Sequence, residues 1–106
     1  MKAEATWHGQ RLTVYVINLC YYGEEGDFEV FPNRPLDLKL PDVALLLAER
    51  GYALEQVDAQ VVIFHADDAE YTLYDEGRLI VEHLKPGTPE NALAVAAAIL
   101  EYEILR

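Results

Sequence analysis

Cysteine is nearly missing from this chain: Cys20 is the only one among 106 residues. No internal disulfide can form, which excludes the cross-linked scaffolds typical of small secreted domains. Long apolar runs are also missing. The longest, over residues 93–100, falls far short of the roughly 20 residues a membrane-spanning helix needs. The opening Met1-Lys2-Ala3-Glu4 carries no apolar stretch of the signal-peptide kind. Together these point to a cytoplasmic setting with no membrane partner. Basic residues are scarce as well, 8 Lys and Arg against 19 Asp and Glu, for a formal net charge of −11. Lys2, Arg11, Arg34, Lys39, Arg50, Arg78, Lys85 and Arg106 are scattered along the chain rather than clustered. Binding nucleic acid depends on cations that displace counterions from phosphates, so no nucleic-acid partner is expected.

The motifs of common chemistries are missing too. No glycine-rich phosphate loop occurs, and His8, His65 and His83 lack metal-ligand spacing. Glu24, Glu25 and Asp27 crowd a turn without the alternating ligands of a calcium loop. Cys20 sits between Leu19 and Tyr21 in a strand-like run with no nucleophile-elbow glycines around it. It reads as a buried structural cysteine rather than a nucleophile served by His65 or His83. No catalytic residue, metal or cofactor is assigned.

What is present is a globular composition, 52% apolar and 25% charged, in a chain of one-domain length. Residues 11–22 (RLTVYVINLCYY) are β-branched and aromatic and read as a long strand. Leu12, Val14 and Val16 share one parity, Tyr15, Ile17 and Leu19 the other. Gly23 to Gly26 is a turn, after which residues 27–31 return as a short strand. Pro41, Asp42 and Gly51 bracket a helix with Val43, Leu46 and Leu47 on one stripe. Residues 59–66, 71–74 and 78–84 form a meander. A second helix starts at Thr88-Pro89-Glu90 and runs to about Tyr102.

The hairpin of residues 71–82 (YTLYDEGRLIVE) is the most telling segment, because its strands are apolar on both faces. A three-residue Asp75-Glu76-Gly77 loop with Gly77 left-handed groups Tyr71, Leu73, Leu79 and Val81 on one face. Thr72, Tyr74, Ile80 and Glu82 fall on the other. A tight Asp67-Asp68 turn adds Val62 and Phe64 to the first, core set. It adds Val61, Ile63 and His65 to the second. The helices are expected to cover the core set. That leaves Val61, Ile63, Tyr74 and Ile80, rimmed by His65, Thr72 and Glu82, as an apolar outer face of the kind that marks interaction sites. Either the strand of residues 12–22 or the loop after it folds over this face, or another molecule does, a second copy first among them.

The run from Thr72 to Val81, followed by a capped helix at Thr88, resembles a half-repeat of the TATA-binding protein fold. In that family a strand ending in an aromatic leads through a small-residue turn and Gly-Lys to a hydrophobic strand and a long helix. Tyr74, Gly77, Arg78 and Leu79-Ile80-Val81 stand at the matching places. Leu36-Asp37-Leu38 and the strand of residues 61–66 fit in order. The resemblance implies an α+β fold, a curved antiparallel sheet of about five strands with two helices packed on one face. It also implies that a chain with one half-repeat could complete a saddle as a homodimer. The family's DNA-binding residues do not carry over. The intercalating phenylalanine expected near Ala59 is missing, and Glu82 replaces a base-contacting threonine with a charge that repels phosphates. Only Tyr74 keeps an aromatic at a wedge position.

The expected function is therefore a small, acidic, non-enzymatic interaction module that self-associates or binds protein through its outer sheet face. An acidic inhibitor or nucleic-acid mimic aimed at a basic protein is the alternative from charge. A ligand carrier or enzyme would need convergent polar groups in a pocket, which the sequence does not display.

Overall fold

The structure is a computed structural model that describes residues 1–105. Strands β1 (Lys2–Trp7), β2 (Gln10–Tyr22) and β3 (Glu25–Pro32) precede helix α1 (Leu40–Glu49). Strands β4 (Ala53–Val57), β5 (Val61–Ala66), β6 (Ala69–Tyr74) and β7 (Leu79–Leu84) follow, then α2 (Pro89–Leu100) and the two-residue β8 (Glu103–Ile104). All eight strands lie in one sheet, in the order β4-β5-β6-β7-β3-β2-β1-β8, and every neighbouring pair is antiparallel. Two meanders, one before α1 and one after it, are joined where β3 pairs with β7.

Turn chemistry dictates the registers. Ala66 pairs with Ala69 across Asp67-Asp68, with Asp67 at φ 54°. Leu73 pairs with Leu79, and the Tyr74 amide donates to the Arg78 carbonyl at 2.9 Å, closing the three-residue loop expected for residues 75–77. Gly77 is required there twice over. Its φ is +101°, and a Cβ would meet Leu36 Cδ1 at 2.9 Å. Leu36 is held against the loop because its own amide donates to the Glu76 carbonyl at 2.8 Å.

Alternation along the strands creates the core. Val14, Val16, Phe28, Val30, Val62, Phe64, Tyr71, Leu73, Leu79 and Val81 are all buried on one face. Leu40, Ala44 and Leu47 of α1 and Ala92, Ala96 and Ile99 of α2 pack into the same cluster. Tyr52, Phe64 and Tyr71 form an aromatic group within it, with Phe64 and Tyr71 stacked at 5.1 Å. Thr88 caps α2 as its position suggests, its Oγ1 accepting from the Asn91 amide at 3.1 Å.

Several expectations are corrected. The sheet has eight strands rather than about five. Strand β1 buries only Ala5 fully, β4 is exposed at every residue, and β8 is two residues long, so none carries a strong apolar alternation. Helix α2 stops at Leu100, because Glu101 turns left-handed at φ 63° and starts the chain back toward β1. Leu46 is 43% exposed, because the buried stripe of α1 runs through Leu40, Ala44 and Leu47. Cys20 is exposed rather than buried. A β-bulge between Asn18 and Cys20 shifts the strand's parity, and the Asn18 side-chain amide secures it by donating to the Cys20 and Asp27 carbonyls at 3.2 Å each. A second bulge affects His83. Phe28 pairs with Val81 but Gly26 pairs with Leu84, so β7 carries one extra residue. Leu84 takes the core position and His83, at φ 59°, is turned out onto Tyr22 at 5.4 Å. His65 and His83 are therefore not divided between opposite faces as simple alternation requires.

Candidate interaction surface on the outer sheet face

Strand β2 lies inside the sheet beside β3, and both helices pack on the core face. No strand or helix among the described residues covers the other face. The seven residues singled out from sequence, Val61, Ile63, His65, Thr72, Tyr74, Ile80 and Glu82, come together there on three adjacent strands. His65 is exposed and the other six are half-buried by their neighbours.

The pairing registers arrange this face in three rows running across the strands. The central row is Gln56, Ile63, Thr72, Ile80, Glu29 and Ile17, each opposite the next. On one side of it Val61 pairs with Tyr74, Arg78 closes the hairpin, and Phe31, Tyr15 and Lys2 continue the line. On the other side His65 pairs with Glu70 and Glu70 with Glu82, while Asp27 pairs with Cys20 beyond them. One flank is thus aromatic with Arg78 and Lys2 as its cations, the middle alternates polar and aliphatic residues, and the opposite flank is acidic. Since strand residues i and i+2 are about 7 Å apart, the rows are spaced by roughly that distance.

Arg78 is the anchor of the basic flank. Its guanidinium lies 4.1 Å from the Tyr74 ring centroid, 3.4 Å from Glu29 Oε2 and 3.6 Å from Glu76 Oε1. Planar contact with an aromatic ring and two carboxylates fixes the side chain in place while leaving it 39% exposed. Tyr15 and Phe31 stack at 5.5 Å beside it. At the acidic end the Tyr22 hydroxyl donates to the Asp27 carboxylate, and this hydrogen bond, with lesser burial and charge effects, pushes the phenol pKa up to about 12. The same carboxylate accepts from the His83 amide at 2.9 Å, and His83 Nδ1 lies 3.1 Å from Glu25 Oε2. These polar groups are spent on one another around the bulge, and His83 also borders a cleft of about 350 Å³ with Asp67, Asp68, Tyr71 and Lys85.

Among the described residues no group of three or more His, Cys, Asp or Glu is placed to hold a metal ion. A shallow cleft of about 320 Å³ opens beside the basic flank between Glu29, Phe31, Arg34, Pro35, Glu76 and Arg78. No helix of the described residues is long and apolar enough to cross a membrane.

Sequence reasoning missed the half of the face that the first meander supplies, Tyr15, Ile17, Glu29 and Phe31, and the place of Arg78 beside it. The parity of Tyr15 and Ile17 is legible in residues 11–22, but nothing local reveals that β3 pairs with β7 and brings them alongside Ile80. It also missed a second uncovered apolar group, Leu45 and Leu46 on α1 with Leu54 and Val57 on the edge strand β4, which are 66%, 43%, 37% and 43% exposed. No protein-family profile, no curated protein and no solved structure matches the chain significantly.

Proposed function

We propose that this protein is a small, acidic, non-enzymatic interaction module that associates through the outer face of its sheet, with a second copy of the chain as its partner, in a cytoplasmic setting. The observation that carries this reading is the row of Ile63, Thr72, Ile80, Glu29 and Ile17 across five strands, aliphatic at three of its five places, with no helix or strand among the described residues laid over it. Aliphatic side chains bordered by stacked aromatics are the make-up of a protein-binding surface. The unit we liken to a half-repeat of the TATA-binding protein fold covers residues 36–102 and, with the first long strand of residues 11–22, most of the chain. The DNA-binding role of that fold is not part of the proposal, because Glu70, Glu82 and Asp27 border the same face.

Light scattering across a concentration range tests the reading. The unaltered protein should dimerise, and Tyr74→Glu should leave a folded monomer, since it replaces an aromatic beside the central row with a carboxylate. A unaltered chain that stays monomeric up to millimolar concentration would remove self-association.

A further inference from the structure

The three-row order of the outer face specifies how two copies meet, and this inference rests on the self-association proposed above. We infer that the copies pack face to face about a two-fold axis parallel to the rows and level with the central one. Such an axis turns the second copy so that its acidic flank lies against the first copy's basic flank. The order along two neighbouring strands makes the match. Strand β7 with the residue that leads into it reads Arg78, Ile80, Glu82, and β6 reads Tyr74, Thr72, Glu70, each balanced about its central residue. Rotation about the central row sets Ile80 on Ile80 and Thr72 on Thr72. Arg78 then faces the second copy's Glu82, and Tyr74 faces its Glu70, twice over by symmetry.

The competing two-fold, parallel to the strands, sets each flank against its own kind. Glu70, Glu82 and Asp27 would then confront the same three carboxylates, and juxtaposed like charges are strongly disfavoured across an interface. The favoured axis also keeps the strands of the two sheets aligned, the usual geometry of stacked sheets. Within the three rows its like-charge meeting is at Glu29, where Arg78 already lies 3.4 Å away as counter-ion, and Arg78 likewise screens Glu76 at 3.6 Å on the basic flank. Five strands at about 4.8 Å spacing and three rows at about 7 Å give a face on the order of 500 Å² per copy. That is about 1,000 Å² in total, below the roughly 1,200–2,000 Å² of stable complexes, so the dimer is one that dilution separates.

Sedimentation equilibrium of Arg78→Glu, of Glu82→Arg and of their equimolar mixture tests the pairing, with circular dichroism to confirm that each variant is folded. Each variant alone brings like charges together, and its dimer should weaken by about tenfold or more. In the mixture both contacts again join opposite charges, one with its native sign and one reversed, and the heterodimer should form nearly as tightly as the unaltered dimer. If each variant dimerises as well as the unaltered chain, or if the mixture stays monomeric, this axis is wrong. Self-association through the face survives that result provided Tyr74→Glu still abolishes it. If the unaltered chain never dimerises, both readings fall together.

Discussion

The two faces of the β6–β7 hairpin are built from alternate residues of the same strands, yet they are held by different forces. On the core face Tyr71, Leu73, Leu79 and Val81 are 5%, 0%, 0% and 0% exposed beneath the two helices. On the outer face Thr72, Tyr74, Ile80 and Glu82 are only half-buried, by one another and by the neighbouring strands. The first face stabilises the monomer through buried apolar area. The second contributes little to the monomer and is available for association. A substitution one residue along the strand therefore moves its effect from folding to assembly, and that separation is open to experiment.

The largest effect should come from the core side. Phe64→Ala, at a fully buried ring packed on Tyr71 and Tyr52, should cost about 3–5 kcal/mol in chemical denaturation. A cost below about 1 kcal/mol would show that this face is not the core. Next comes the loop that sets the register. Gly77→Ala must hold φ near +101° and press its methyl on Leu36, a loss on the order of 1–3 kcal/mol by the same measurement.

A pH-dependent loss should follow from Tyr71, whose phenol is pushed up to about 12, first by burial and then by the nearby Tyr52 and Asp67. The unfolded chain ionises this group near pH 10 and the folded chain only near pH 12. The neutral phenol's contribution is thus complete below pH 10 and lost as pH rises through that window. Tyr71→Phe should flatten this part of the alkaline stability profile, and an unchanged slope would place the titration elsewhere. The smallest effect on folding belongs to the outer face. Ile80→Glu should leave the denaturation midpoint nearly unchanged, within about 0.5 kcal/mol, while abolishing dimerisation in light scattering. A loss as large as that of Phe64→Ala would erase the contrast between the faces.

Much of this arrangement is legible in the residues themselves. Gly77 and the alternation from Tyr71 to Val81 specify the hairpin, and Thr88-Pro89-Glu90 specifies the start of α2. These are short-range signals whose partners lie within a few residues. Strand β4 escapes notice because Ala53-Leu54-Glu55-Gln56-Val57 has neither burial nor alternation to report; it exists by pairing with β5. Cys20 and His83 are misplaced by alternation because a single extra residue in each strand reverses parity, and a bulge is defined by the opposite strand. The outer face was readable strand by strand, down to Val61, Ile63, Tyr74 and Ile80. Its second half was not, because the β3–β7 pairing spans about 50 residues of sequence and depends on both meanders being folded.

The most direct measurement is a dilution series followed by methyl-resolved NMR. The account predicts that the methyl signals of Ile63 and Ile80 shift with concentration, while those of Leu73 and Leu79, one residue away on the same strands or their neighbours, stay fixed. Stationary Ile63 and Ile80 signals, or shifts confined to Leu45, Leu46, Leu54 and Val57, would contradict it.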